Sequence, residues 1–128
     1  MVRRVQPVLT TYKYALMYHS MSAAMQITML MKTLADPTRR AVFERIARSG
    51  EVTATGLVKG SKVSQPAVSQ HLRALRDAGL VTERREGRYI HYRVAPRALA
   101  PLIDWLGLYQ TFWCERFDDL EKLLKETG

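Results

Sequence analysis

The sequence is poor in the features that mark secreted, membrane-spanning or metal-rich proteins. It has one cysteine, Cys114, among 128 residues, so one chain cannot form an internal disulfide or a site built from two cysteines. No apolar run approaches the roughly 18 residues of a membrane span, and polar side chains interrupt residues 5–20, so we expect neither a membrane segment nor a signal peptide. A single cysteine fits a reducing compartment, and we expect a cytoplasmic protein without a cofactor.

Acidic side chains are also scarce, at 12 against 20 lysines and arginines, which leaves a formal net charge of +8. Residues 1–51 and 52–94 each carry eight basic and three acidic side chains, whereas residues 95–128 carry four and six. A polyanion therefore has two thirds of the chain to bind and a C-terminal third to avoid. Nucleic acid is the leading candidate partner, because neutralising phosphates requires many lysines and arginines. A solvated basic surface is the alternative.

A chain of this length predicts one domain, here residues 21–128, preceded by an N-terminal arm of residues 1–20. The apolar positions between Met21 and Leu34 repeat with helical spacing. Asp36-Pro37 then combines a capping residue with a proline suited to a first turn, which predicts a second helix that ends near Gly50.

The middle of the chain predicts a weak helix followed by a strong one. Residues 53–61 contain two glycines, so a short helix there must borrow stability from its neighbours. Ser64 and Pro66 predict the start of the next helix, and Gly79 its end. Residues 80–94 then alternate around Glu86-Gly87, which indicates a β-hairpin.

From Pro96 to about Glu126 the apolar residues predict one helix of about 30 residues, which would be about 45 Å long. A domain this small cannot cover such a stripe, so we expect it to pack both on the N-terminal helix and on a second subunit. Packing within one chain is the alternative. The expected dimer contacts are Met25, Leu30, Leu99, Leu102, Leu106, Tyr109, Trp113 and Leu120.

This order of elements predicts a mainly α fold with a small β-hairpin, a dimeric winged helix-turn-helix flanked by N- and C-terminal helices. A short helix, a three-residue turn and the helix from Ser64 would form the helix-turn-helix, and the hairpin would form the wing. The second helix of such a motif enters the major groove of double-stranded DNA. The expected DNA contacts are Lys62, Ser64, Gln65, Ser69, Gln70, His71, Arg73, Arg84, Arg85 and Arg88. His71 has packing at the helix edge as an alternative role.

Four segments resemble the ArsR/SmtB family of bacterial repressors: residues 34–40 (LADPTRR), 64–72 (SQPAVSQHL), 75–81 (LRDAGLV) and 84–88 (RREGR). The resemblance covers roughly residues 25–125. It implies a dimeric winged helix that binds dyad-symmetric operator DNA and represses transcription until a signal releases it. The signal stays open among a small apolar molecule, a partner protein and simple autoregulation.

The metal-binding patterns of that family are missing. One is a cysteine pair at the first helix of the helix-turn-helix, where residues 54–58 contain no cysteine. The other is an Asp, His, His, Glu set on the last helix, where Asp104 is present but histidine is not. We therefore expect no metal site and a member of the non-metal-sensing subgroup. No enzyme motif occurs, so we expect no catalysis. A winged-helix module that binds protein without DNA is the alternative function.

Overall fold

The computed structural model describes residues 22–127. The predicted arm of residues 1–20, and Met21 after it, lie outside the described residues. The elements, in chain order, are α1 (Ala23–Ala35), α2 (Pro37–Ser49), β1 (Val52–Thr53), α3 (Ala54–Val58), α4 (Gln65–Asp77), β2 (Val81–Glu86), β3 (Tyr89–Val94), α5 (Ala100–Gly107) and α6 (Gln110–Thr127). Between residues 22 and 127, no helix is both long and apolar enough to cross a membrane.

Side-chain caps start α2 and α4 where the sequence predicts them. The Asp36 carboxylate accepts hydrogen bonds from the backbone N–H groups of Thr38 and Arg39 at 2.9 and 3.0 Å, and Pro37 occupies the first turn of α2. Gly50 ends this helix with a φ of 81°, a conformation that costs a residue with a side chain more than it costs glycine. The helix from Ser64 is confirmed as α4.

The core lies between α1, α2, α4 and the sheet. Its completely buried side chains include Leu30 from α1, Ile46 from α2, Leu75 from α4 and Leu80 just before β2. The short helix α3 contributes Leu57. This arrangement leaves one face of α4 free, because only Val68, Leu72 and Leu75 of that helix are buried.

The hairpin is confirmed, and a third strand joins it. Strands β2 and β3 pair antiparallel around the turn at Gly87, whose φ is 60°. The two-residue strand β1 pairs with the other edge of β3, where Val52 is opposite Tyr92, so the strand order is β1-β3-β2. The third strand joins the segment before α3 to the middle of β3.

Two predictions about local structure are wrong. The turn of the helix-turn-helix, which we expected to have three residues, covers residues 59–64, because α3 ends at Val58. The single helix from Pro96 to Glu126 is two helices with a break at Leu108 and Tyr109. Proline has no N–H group to donate to the preceding turn, so Pro101 fits the first turn of α5 rather than the interior of a longer helix. After Gly107, the N–H groups of Leu108 and Tyr109 bond three residues back, to Trp105 and Leu106, which tightens the chain out of the α-helix.

The break changes which apolar residues remain outside the core. Leu30 was expected at a dimer contact, but it is 0% exposed and packs within its own chain, so that prediction is wrong. Leu99 and Leu102 are half-buried against the same core, which is the packing within the chain that the width of the apolar stripe also predicted. In contrast, no residue of α6 is buried. The apolar residues exposed along α5, α6 and the turn between them include Leu106, Tyr109, Phe112, Trp113, Phe117, Leu120, Leu123 and Leu124.

Candidate nucleic-acid interface

The free face of α4 carries a polar stripe. Gln65, Ser69 and Arg73 are four residues apart and therefore lie on one side of the helix, and all three are exposed. Gln70 is exposed beside them. The structure thus brings together the four side chains that the sequence predicted as contacts on this helix. Glutamine and arginine side chains on an exposed helix have the donors and acceptors that match base edges in a major groove.

The start of α4 has its own polar groups. The Ser64 hydroxyl accepts a hydrogen bond from the backbone N–H of Ala67 at 3.3 Å, so the predicted cap is confirmed. Lys62 is exposed in the preceding turn. A helix N-terminus concentrates partial positive charge, and with Lys62 it favours an anion at this end of α4.

His71 differs from the rest of the predicted set. It is half-buried, and its Nδ1 atom is buried without a hydrogen-bond partner among residues 22–127. The hydrogen bond from the Arg39 backbone is the largest influence that lowers the pKa of the Asp36 carboxyl, and the nearby His71 adds a smaller effect in the same direction. The half-burial of the ring agrees with the packing alternative rather than with an outward contact.

The pairing of β2 with β3 separates neighbouring arginines of the hairpin onto opposite faces, because successive side chains of a strand alternate. Arg85 is opposite Ile90, on the same face as Glu83. Glu83 lies 3.4 Å from Arg76 of α4, so this is the face toward the helix. Arg85 and Arg88 are both exposed, and Arg88 lies in the turn at the tip. The wing therefore presents two exposed guanidinium groups, those of Arg85 and Arg88.

Arg84 points to the other face and is engaged within the chain. Its two terminal nitrogens lie 2.5 Å from the Glu51 carboxylate and 2.6 Å from that of Glu86. The hydrogen bonds to Glu86 and Glu51 raise the pKa of Arg84, and the bond to Glu86 has the larger effect. The hydrogen bond from Arg84 lowers the pKa of the Glu51 carboxyl. The His91 ring lies opposite Arg84 on β3, with Nδ1 3.4 Å from Glu51. Arg84 therefore differs from Arg85 and Arg88, since two carboxylates already hold its guanidinium, and its predicted DNA contact stays a prediction.

Sequence reasoning missed two features around this site. Glu51 lies 33 residues before its partner Arg84, and a pair so far apart in sequence has no local pattern that predicts it. Tyr89, beside Arg88, is exposed at the tip of the wing, and the alternation of β3 could have drawn attention to it. Both features depend on how β1, β2 and β3 come together.

Residues 22–127 contain no group of three or more histidine, cysteine, aspartate or glutamate side chains that could hold a metal ion. Cys114 is exposed on α6, next to the exposed ring of Trp113. The arrangement as a whole is a basic, polar surface formed by one helix and a hairpin.

Known proteins share this architecture and parts of the sequence. A family model described as a helix-turn-helix domain matches residues 34–84. The arsenical resistance operon repressor of Escherichia coli is 39% identical over 67 residues, which are 52% of this chain and 57% of that protein. The chain therefore spans about half the length of the arsenic-resistance relatives that it matches.

Two further relatives are covered over more of their length. The HTH-type transcriptional regulator Rv2034 of Mycobacterium tuberculosis is 38% identical over 97 residues, 76% of this chain and 87% of that protein. The solved structure described as the homodimeric winged helix-turn-helix DNA-binding domain of Mb0332 from Mycobacterium bovis superposes with a TM-score of 0.54 at 29% identity, over 65% of this chain and 76% of that one. With this fold, surface and set of relatives, the chain belongs to the ArsR family of winged helix-turn-helix transcriptional regulators.

Proposed function

We propose that this protein binds a dyad-symmetric operator as a homodimer, without a metal ion, and represses transcription from it. The observation that carries the proposal is the exposed polar stripe of α4, next to the wing face that holds Arg85. One helix and one hairpin then offer base-reading and phosphate-binding groups on a single surface. Because chromosomal DNA is the proposed partner, the protein acts in the cytoplasm.

The proposed contacts divide into two kinds. Gln65, Ser69, Gln70 and Arg73 read base edges in the major groove, where glutamine pairs with adenine and arginine with guanine. Lys62, Ser64, Arg85 and Arg88 bind phosphates, which fix the position of the protein and contribute no direct sequence information. Arg84 holds the wing to Glu51, and His71 is a half-buried residue of α4 that packs within the chain.

The dimer rests on the exposed apolar surface of α1, α5 and α6. Met25, Leu106, Tyr109, Trp113 and Leu120 are all exposed in the single chain, and large apolar side chains exposed in such number are typical of an interface. The Mycobacterium bovis relative is described as homodimeric. A twofold axis through α6 would present two copies of α4 to two half-sites of one duplex.

A footprint on DNA upstream of the protein's own gene tests operator binding, symmetry and autoregulation together. We expect protection of two half-sites about 34–36 Å apart, one turn of the duplex, related by a dyad. The alternative function, a protein-interaction module, predicts no binding to any duplex even at low salt. That outcome would overturn the proposal.

Metal independence is supported by residues 54–58, which contain no cysteine, and by the lack of a metal-binding cluster in the part of the chain that the structure describes. We expect that zinc, cadmium, arsenite and a chelator leave the protein–operator complex intact when each is titrated into it. Fluorescence anisotropy of a labelled operator measures the release. Stoichiometric release by any one of these metals at submicromolar concentration would contradict this prediction.

A further inference from the structure

The first helix of the helix-turn-helix cannot hold its shape alone. Helix α3 is five residues long and includes Gly56, whereas isolated helices shorter than about 12 residues are marginal in water. Thr53 caps its start through the N–H of Gly56 at 3.0 Å, and Leu57 is its one buried side chain. The contacts that hold the C-terminal end of α3 therefore affect the turn that leads into α4.

Arg45 of α2 binds that end. Its guanidinium donates hydrogen bonds to three backbone carbonyl oxygens, those of Gly56 and Leu57 at 2.8 Å and that of Lys59 at 2.9 Å. The last carbonyls of a helix lack partners within it and carry the negative end of its dipole. A charged, planar donor fork meets both needs at once.

The turn toward α4 starts at this contact. Gly60 follows Lys59 with a φ of 78°, and a Cβ added to it would lie 3.8 Å from Nη2 of Arg45. The recognition helix begins soon afterwards at its cap, Ser64. The position of Ser64, and with it the stripe of α4, thus depends on where α3 ends.

We infer that Arg45 is a positioning residue for DNA recognition, which caps α3 and fixes the path of the turn into α4. This inference rests on the proposed operator binding. Arg45 lies in a basic region and could be taken for a phosphate contact, but its side chain is half-buried and both terminal nitrogens are committed to backbone carbonyls. Its contribution to binding is therefore made through geometry.

The first test is amide hydrogen exchange of the free protein. In Arg45→Met we expect the Lys59 amide, which bonds to the Thr55 carbonyl at 3.1 Å, to lose protection by about tenfold or more, the equivalent of one charge-assisted hydrogen bond. Amides around Leu30 in α1 should keep their protection. The matched control is Arg48→Met, which removes an exposed arginine from the same helix and should change neither region.

The second test is binding to operator and to a scrambled duplex. Arg45→Met should lose about tenfold or more in operator affinity, and on scrambled DNA it should lose no more than Arg48→Met does. Arg45→Lys should remain impaired on the operator, because a compact ammonium cannot span three carbonyls as a guanidinium does. This lysine variant also keeps the test valid if the methionine variant does not fold.

The outcomes separate cleanly. Full operator affinity in Arg45→Lys would show that Arg45 acts only as a charge and would overturn the inference. The same holds if Arg45→Met loses as much affinity as Arg48→Met does on the operator and on the scrambled duplex. Unchanged exchange at Lys59 in both Arg45 variants would overturn it as well. If even the unmodified protein binds no duplex, the proposed function fails, whereas faster exchange at Lys59 in the variants would still show that Arg45 caps α3.

Discussion

Arg84 and Arg85 are adjacent in sequence, yet their environments differ because strand β2 points them to opposite faces. Arg84 lies between the carboxylates of Glu51 and Glu86, whereas Arg85 is exposed on the face toward α4. The sequence motif treats them alike, since nothing in it identifies Glu51 as a partner. The sequence identifies both residues as arginines, but it does not show which guanidinium is held by carboxylates of the same chain.

This difference predicts unequal effects on the salt dependence of DNA binding. Arg88→Ala should lower the slope of log affinity against log salt by about 1 for each phosphate that a subunit no longer neutralises. Arg84→Ala should leave that slope unchanged, because its guanidinium neutralises carboxylates rather than phosphates. Filter binding or anisotropy across a salt series measures both variants. An equal drop in slope for Arg84→Ala would place Arg84 on the DNA.

The sequence predicted those helices whose ends carry capping residues, proline or glycine. Ser64 and Pro66 mark the start of α4 and Gly79 marks its end, and the helix runs from Gln65 to Asp77. It missed β1, because two residues are too few to show a period, and they form a strand only by pairing with β3. The C-terminal helix was predicted too long because the helical spacing of apolar residues continues past Gly107, whereas the helical backbone stops there and starts again at Gln110.

The start of α4 offers a way to separate capping from DNA contact at Ser64. Ser64→Ala should lower the free energy of unfolding by about 1 kcal/mol, since it removes the cap. Ser64→Asp should keep that stability, because aspartate caps as well as serine, yet it should weaken binding to every duplex by placing a negative charge beside a phosphate. Urea unfolding and anisotropy measure the two effects. Normal DNA binding by Ser64→Asp would show that no phosphate approaches this position.

For the molecule as a whole, the main question is what covers α6. A helix with no buried residue and a stripe of aromatic and leucine side chains gains stability only by packing on another surface. The sequence predicted this stripe correctly in kind, but it could not divide the stripe between core and interface. That division depends on the packing of Leu30, Leu99 and Leu102 inside one chain.

The dimer is tested with two variants of equal charge change on α6. Trp113→Glu should shift the protein to monomer at micromolar concentration, because association would then have to bury a carboxylate without a partner. Thr111→Glu, two residues away and therefore on the opposite side of the helix, should remain a dimer. Light scattering after gel filtration measures the mass of each. A monomeric unmodified protein, or a dimeric Trp113→Glu, would contradict the assignment of this interface.

The proposed division of labour, in which α4 reads bases while the wing binds phosphates, is tested by a salt series on operator and scrambled duplexes. Gln70→Ala and Arg73→Ala should each cost about 1–3 kcal/mol per half-site on the operator, with relaxed base choice. Arg85→Ala and Arg88→Ala should weaken operator and scrambled DNA alike and reduce the salt slope by about 1 for each phosphate left without its arginine. The division would be contradicted if the wing variants lost operator affinity alone while the helix variants lost affinity for both duplexes equally.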